Sequence, residues 1–167
     1  ATHPYQSSWY SWPFTVKPMW YFFNSYIAPE QVSTLSASGN PAVWWVSAIG
    51  SIALLWARLS KKIAPDKAMQ IFCVGILANF LPWVLVTRCT FIYHFFATVP
   101  FILMATVYAL QKLEQRYPEA HFLKWFWVGF AVLFFALLYP GISGLAIPAN
   151  WASFISKLPG GKLMYGA

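Results

Sequence analysis

Along the chain, apolar residues gather into four long runs at 41–57, 68–86, 90–110 and 122–139, separated by short polar or basic connectors. A helix needs roughly 20 residues to cross about 30 Å of hydrocarbon, and each run is near that length. Apolar character is spread around each run instead of lying on one stripe, the pattern of helices buried or facing lipid. No series of alternating ten-residue strands appears, which disfavours a barrel. The pattern therefore predicts an all-α integral membrane fold with four transmembrane helices.

Local signals mark where helices begin. Asn40-Pro41 opens the first run, since Pro is tolerated in the first turn where its missing N–H would lack a partner. Pro65-Asp66 opens the second, with Asp66 placed to cap free amides. Pro100 is expected to kink the third helix.

The ends divide the chain into three parts. Residues 1–40 form an aromatic segment carrying Trp9, Trp12, Trp20 and several Tyr and Phe, with Pro4, Pro13 and Pro18 interrupting any long helix. Such aromatics settle at the headgroup level, so an interfacial loop or short in-plane helix is expected there. Residues 41–139 hold the four helices. Residues 140–167, with two Pro-Gly steps, read as a turn, a short interfacial segment around Trp151 and Ile155, and a flexible end.

Composition supports lipid as the solvent. Hydrophobic residues make up 59% of the chain and charged residues only 9%, whereas soluble domains carry charge on about a quarter of positions. The net charge of +7 does not form a stripe suited to nucleic acid, and no nucleic-acid partner is expected. Arg58, Lys61, Lys62 and Lys67 lie between runs one and two, and Lys112, Arg116 and Lys124 between runs three and four. Only Lys17, Arg88, Lys157 and Lys162 lie elsewhere. The positive-inside rule puts the two basic connectors in the cytoplasm and both termini outside it, in a plasma, inner or endoplasmic-reticulum-type membrane. Anionic headgroups of the inner leaflet are the simplest partners of the basic connectors.

Few residues offer chemistry. Pro82 deprives the second helix of a hydrogen bond, and Asn79 lies beside the gap; the pair marks either a packing kink or a polar break lining a wet cavity. Arg88, in a short turn, either holds a phosphate with its fork of donors or snorkels to water. His94 is either an interior hydrogen-bonder or, with Arg88 and Tyr93, part of a polar pocket. Cys73 and Cys89 are expected as unpaired small hydrophobes. No Ser-His-Asp set, phosphate loop or metal-ligand spacing is present, so neither a metal nor a cofactor is expected. Glu30 is the sole carboxylate on the outer side, a poor general base by itself.

Specific stretches resemble the protein O-mannosyltransferase family. HPYQSSWYSWPF at 3–14 and KPMWY at 17–21 are similar to its outer loop, and GNPAVWW at 39–45 to the opening of its carboxyl-terminal four-helix membrane region. LPW at 81–83, TRCTFIYHF at 87–95 and PF at 100–101 resemble its central signature, and YPGISGLAIP at 139–148 its closing element. The resemblance covers nearly the whole chain in order. It implies a phospholipid-carrier-dependent glycosyltransferase that moves mannose from a polyprenyl-phosphate carrier to protein Ser or Thr. It implies that Arg88, Tyr93 and His94 lie near the lipid phosphate, and that His3 and Tyr5 belong to an outer loop close by. The family's acidic catalytic residue lies in an amino-terminal half that this chain lacks, so no catalytic residue is expected here. The chain, which opens without Met, is expected to be a piece of a longer protein, a processed chain or a subunit working with other membrane chains. The alternative is a non-catalytic accessory subunit of a larger membrane complex that binds lipids, pigments or neighbouring helices.

Overall fold

Two side chains start the first two helices as their types require. Asn40 accepts from the Ala42 N–H at 2.9 Å and opens α1, Pro41–Leu59. Asp66 accepts from the Met69 N–H at 2.9 Å and opens α2, Lys67–Phe80. Asn40 also donates to the Ala131 carbonyl at 2.8 Å, tying the start of α1 to a later helix. The computed structural model describes residues 3–24, 28, 30–64 and 66–158. Pro65 and the end of the tail, with its second Pro-Gly step and Lys162, lie outside these.

The chain begins with a 3-10 turn at Trp9–Phe14, then strands β1, Met19–Asn24, and β2, Gln31–Ala37. After α1 and α2 come 3-10 turns at Leu81–Leu85 and Ile92–Phe95, then α3, Val99–Arg116. A 3-10 turn at Pro118–His121 leads into α4, Phe122–Ser143, followed by β3, Ile147–Pro148, and α5, Ala149–Ser156. The strands form an antiparallel sheet in the order β1-β2-β3.

The all-α expectation is thus corrected: the architecture is mostly helical with a small sheet. In β2 the pattern is inverted, burying Ser33, Thr34 and Ser36 while exposing Leu35. The Thr34 hydroxyl donates to the Phe22 carbonyl of β1 at 3.2 Å, and the two serine hydroxyls serve the end of α4. Ser33 donates to the Gly144 carbonyl at 2.6 Å and Ser36 to the Gly141 carbonyl at 2.8 Å. The helix passes through Pro140 and ends at Ser143, four residues later than expected, capped by Gly144 with φ 76°, the left-handed conformation that glycine adopts without a Cβ clash.

The third run is also corrected. Residues 90–98 pass from irregular backbone through a 3-10 turn at 92–95 to a further turn at 96–98, and Pro100 sits in the first turn of α3 instead of kinking it. The part of α3 before its charged end, residues 99–110, is about 18 Å long at ~1.5 Å per residue. Among the described residues three stretches are long and apolar enough to cross a bilayer: Pro41–Leu59, Lys67–Leu85 and Pro118–Ser143. Their outward faces carry Trp56, Leu59, Trp125 and Phe126, each about two-thirds exposed. In water that surface would be an aggregation liability; in lipid it is ordinary. The protein is integral to the membrane.

Packing places opposite chemistry at the two ends of the bundle. At one end lie the sheet, α5 and the 3-10 turns at Trp9–Phe14, Leu81–Leu85 and Ile92–Phe95, joined to the starts of α1 and α3 and the finish of α4. A core of Trp12, Trp44, Ile92, Phe95 and Ile102 holds that end. At the other end Leu54, Met69, Ala105 and Tyr108 pack together beneath the basic connectors. There the Tyr108 hydroxyl donates to the Asp66 carboxylate, and Lys124 pairs with Glu114 at 2.8 Å.

Candidate functional site

The amino-terminal segment is fastened over the turn that follows α2. The Ser7 N–H donates to the Thr90 carbonyl at 2.9 Å, and the Thr90 hydroxyl returns a bond to the Ser7 carbonyl at 2.8 Å. Trp12 Nε1 donates to Ser7 Oγ at 2.9 Å, and the Trp12 ring is fully buried. Cys89 Sγ lies 3.0 Å from Gln6 Oε1. Cys73 and Cys89 are not joined to each other by a disulfide.

Between these two segments lies a pocket of about 490 Å³. Arg88 and Lys17 line it, together with the hydroxyl-bearing Ser7, Ser8, Thr87 and Tyr10. Two cations and several donors around one small volume suit an anion, above all a phosphate with its several acceptor oxygens. The Arg88 side chain is exposed and Lys17 is half-buried, so the pocket opens at the edge of the protein.

Tyr93 and His94 belong to a neighbouring aromatic cluster. His94 Nδ1 lies 3.0 Å from the Phe91 backbone nitrogen and 2.9 Å from the Phe91 carbonyl oxygen, which ties the ring to its own turn. The His94 ring lies 4.1 Å from Trp83, 4.5 Å from Tyr93 and 5.9 Å from Trp12, centroid to centroid. His3 meets Phe91 edge-on at 5.1 Å and Tyr5 at 5.7 Å, and Phe91 stacks on Tyr93 at 5.5 Å. Four of the residues singled out from sequence, His3, Tyr5, Tyr93 and His94, therefore join in one run of ring contacts through Phe91.

Arg88 lines the adjoining pocket, with the Cys89–Phe91 backbone leading from one to the other. Lys17 is the pocket residue that sequence reading passed over. Its signal was its pairing with Arg88 as the two basic residues outside the connectors and the tail. Asn79 donates to the Gly75 carbonyl at 2.8 Å within α2, and Pro82 stands at the start of the 3-10 turn at Leu81–Leu85; neither lines the pocket. Glu30 is exposed beside β2, where its carbonyl accepts from Ala149. Among the described residues no group of three His, Cys, Asp or Glu side chains converges on a metal-sized site.

The structure is thus of the class of helical membrane bundles, with an aromatic cap and a two-cation pocket at one end. The comparisons with known proteins are narrower. Residues 1–155 match the family model described as the C-terminal four TMM region of protein-O-mannosyltransferase. A polyprenol-phosphate-mannose–protein mannosyltransferase of Mycolicibacterium smegmatis is 29% identical over 160 residues, covering 87% of this chain and 30% of that protein. The enzyme of that name from Corynebacterium glutamicum is 27% identical over 121 residues, covering 69% of this chain and 22% of its own length. The solved S. cerevisiae protein O-mannosyltransferase Pmt1-Pmt2 complex bound to the sugar donor superposes with a TM-score of 0.71. It shares 19% identity, over all of this chain and 25% of the yeast chain, a likeness of fold. The chain belongs to the protein O-mannosyltransferase family, in its carboxyl-terminal membrane region, and spans less than a third of the curated relatives it matches.

Proposed function

We propose that this chain supplies the carrier-binding part of a mannosyltransferase that takes its sugar from a polyprenyl-phosphate carrier and delivers it to protein Ser or Thr. The observation that carries the reading is the placement of Arg88 and Lys17 around one pocket of about 490 Å³. The carrier phosphate lies between them, held by charge-assisted hydrogen bonds from the guanidinium and by the ammonium charge. The aromatic cluster of Tyr93, His94, His3 and Tyr5 flanks the phosphate and covers the adjoining part of the carrier.

Transfer is a direct displacement at the sugar carbon, with the carrier phosphate leaving. Arg88 and Lys17 stabilise the charge that develops on it. The general base comes from outside this sequence, so the chain does not transfer sugar by itself. It acts with other membrane chains or with the rest of a longer protein. The names of the bacterial relatives and the donor-bound yeast complex support this assignment.

In the same reading α3 is the fourth span, packed against α1 and α2. The pocket end is extracytoplasmic, as are both termini, and the basic connectors lie in the cytoplasm. The test is mannosyl transfer by the protein reconstituted with its complementary half, comparing wild type with Arg88→Ala. The expected result is a fall in kcat/KM of about a hundredfold with unchanged thermal unfolding, since one charged donor to phosphate is worth about 1.5–3 kcal/mol. Unchanged transfer would refute the role of Arg88.

A further inference from the structure

The end of the bundle opposite the Arg88 pocket carries a second and larger cavity. A groove of about 1130 Å³ runs along the seam of α1 and α3. Its floor is apolar and shallow-sided because small residues line it: Gly50, Ala53 and Ala57 on α1 and Ala109 on α3. Gly50 is pressed against Thr106, which closes the seam at depth and leaves the groove open above. From Val46 to Ala57 the groove follows α1 for about 17 Å at ~1.5 Å per residue. That is close to half of the ~30 Å hydrocarbon core, the depth of one leaflet.

Its mouth is basic. Lys62, Lys112 and Arg116 line the rim, and among the described residues none of them forms an ion pair. Lys112 lies over the Tyr108 ring at 5.2 Å and Arg116 over the Tyr117 ring at 5.7 Å, contacts that hold the cations in place. The one carboxylate on the rim, Asp66, is engaged by the Met69 N–H and the Tyr108 hydroxyl and also feels the charge of Lys112, leaving the rim net positive. A leaflet-deep apolar furrow beneath a rim of three cations and one carboxylate complements the shape and charge of a lipid with an anionic head.

We propose that this groove is a binding site for an anionic phospholipid, distinct from the carrier pocket at the opposite end. One acyl chain lies along the α1–α3 seam, and the headgroup phosphate sits against Lys62, Lys112 and Arg116. Basic pockets between membrane helices bind anionic headgroups by the same means, within reach of the negatively charged leaflet.

Native mass spectrometry of the detergent-extracted protein, titrated with phosphatidylglycerol or with phosphatidylcholine of identical chains, tests the proposal. Wild type should retain phosphatidylglycerol about tenfold better, and Lys62→Gln, on the exposed connector, should cut that preference about fivefold. Ala57→Trp should fill the furrow and reduce retention of both lipids with the rim intact. Equal retention of the two lipids by wild type, or a preference unchanged in Lys62→Gln, would overturn it. So would an Ala57→Cys cross-link that captures another protein helix in place of lipid. None of these readouts depends on carrier binding or sugar transfer.

Discussion

Ser7 and Thr90 hold each other through two hydrogen bonds across 83 residues of chain, N–H to carbonyl in one direction and hydroxyl to carbonyl in the other. Both residues are buried, so water replaces neither bond. The pair fixes the aromatic segment over the 86–91 turn and thereby sets the two walls of the pocket that holds Arg88 and Lys17.

Thr90→Val keeps the shape and removes the hydroxyl, leaving the buried Ser7 carbonyl short of a donor. The expected cost is about 1–3 kcal/mol of stability. Thermal unfolding in detergent measures it, and carrier affinity should fall together with it because the pocket walls loosen.

The α1–α3 contact gives a paired prediction. A Cβ at Gly50 would clash with the Thr106 side chain, whereas one at Gly129 meets nothing within 4 Å. Thr106 has little room to yield, since its hydroxyl donates to Ile102 at 2.9 Å and Ser47 at 3.1 Å. Gly50→Ala should therefore lower stability by about 1–3 kcal/mol. Gly129→Ala, gaining helix propensity in open space, should leave it unchanged or raise it by up to about 1 kcal/mol.

Asp66 predicts a pH dependence. The Met69 N–H, and then the Tyr108 hydroxyl, hold its carboxyl below the ordinary 3.8. The unfolded chain therefore binds this proton more readily than the folded one. The stabilisation is fully present above the unfolded pKa and is lost as pH falls through the lower folded one. Unfolding temperature measured from pH 6 down to pH 3 should drop below about pH 4 in wild type. Asp66→Asn should start lower and show a flatter decline over that window.

Helix starts were legible because their signals are local. Asn40 and Asp66 cap α1 and α2 through side-chain oxygens that only a few residue types provide. The strands were hidden for a physical reason. β2 turns Ser33, Thr34 and Ser36 inward to satisfy backbone carbonyls and leaves Leu35 outside, so its burial runs against its hydrophobicity. β1, an unbroken apolar stretch, has no alternation to read. Pro100 and Pro140 misled in opposite ways, one starting a helix it was expected to bend and the other lying within a helix expected to end before it. Of the candidate site, Arg88 and the aromatic residues stood out by type. Lys17 joins Arg88 through a fold-back held by Ser7 and Thr90, a long-range contact that no spacing along the chain reveals.

The most direct test of the central claim is equilibrium binding of a short-chain polyprenyl phosphate to the protein in nanodiscs. Wild type is compared with Arg88→Gln, Lys17→Gln and the double variant. Phosphate seated between the two cations predicts a loss of at least tenfold in affinity for Arg88→Gln, a smaller loss for Lys17→Gln, and a larger one for the double variant. A double variant that binds the carrier as tightly as wild type would contradict the account.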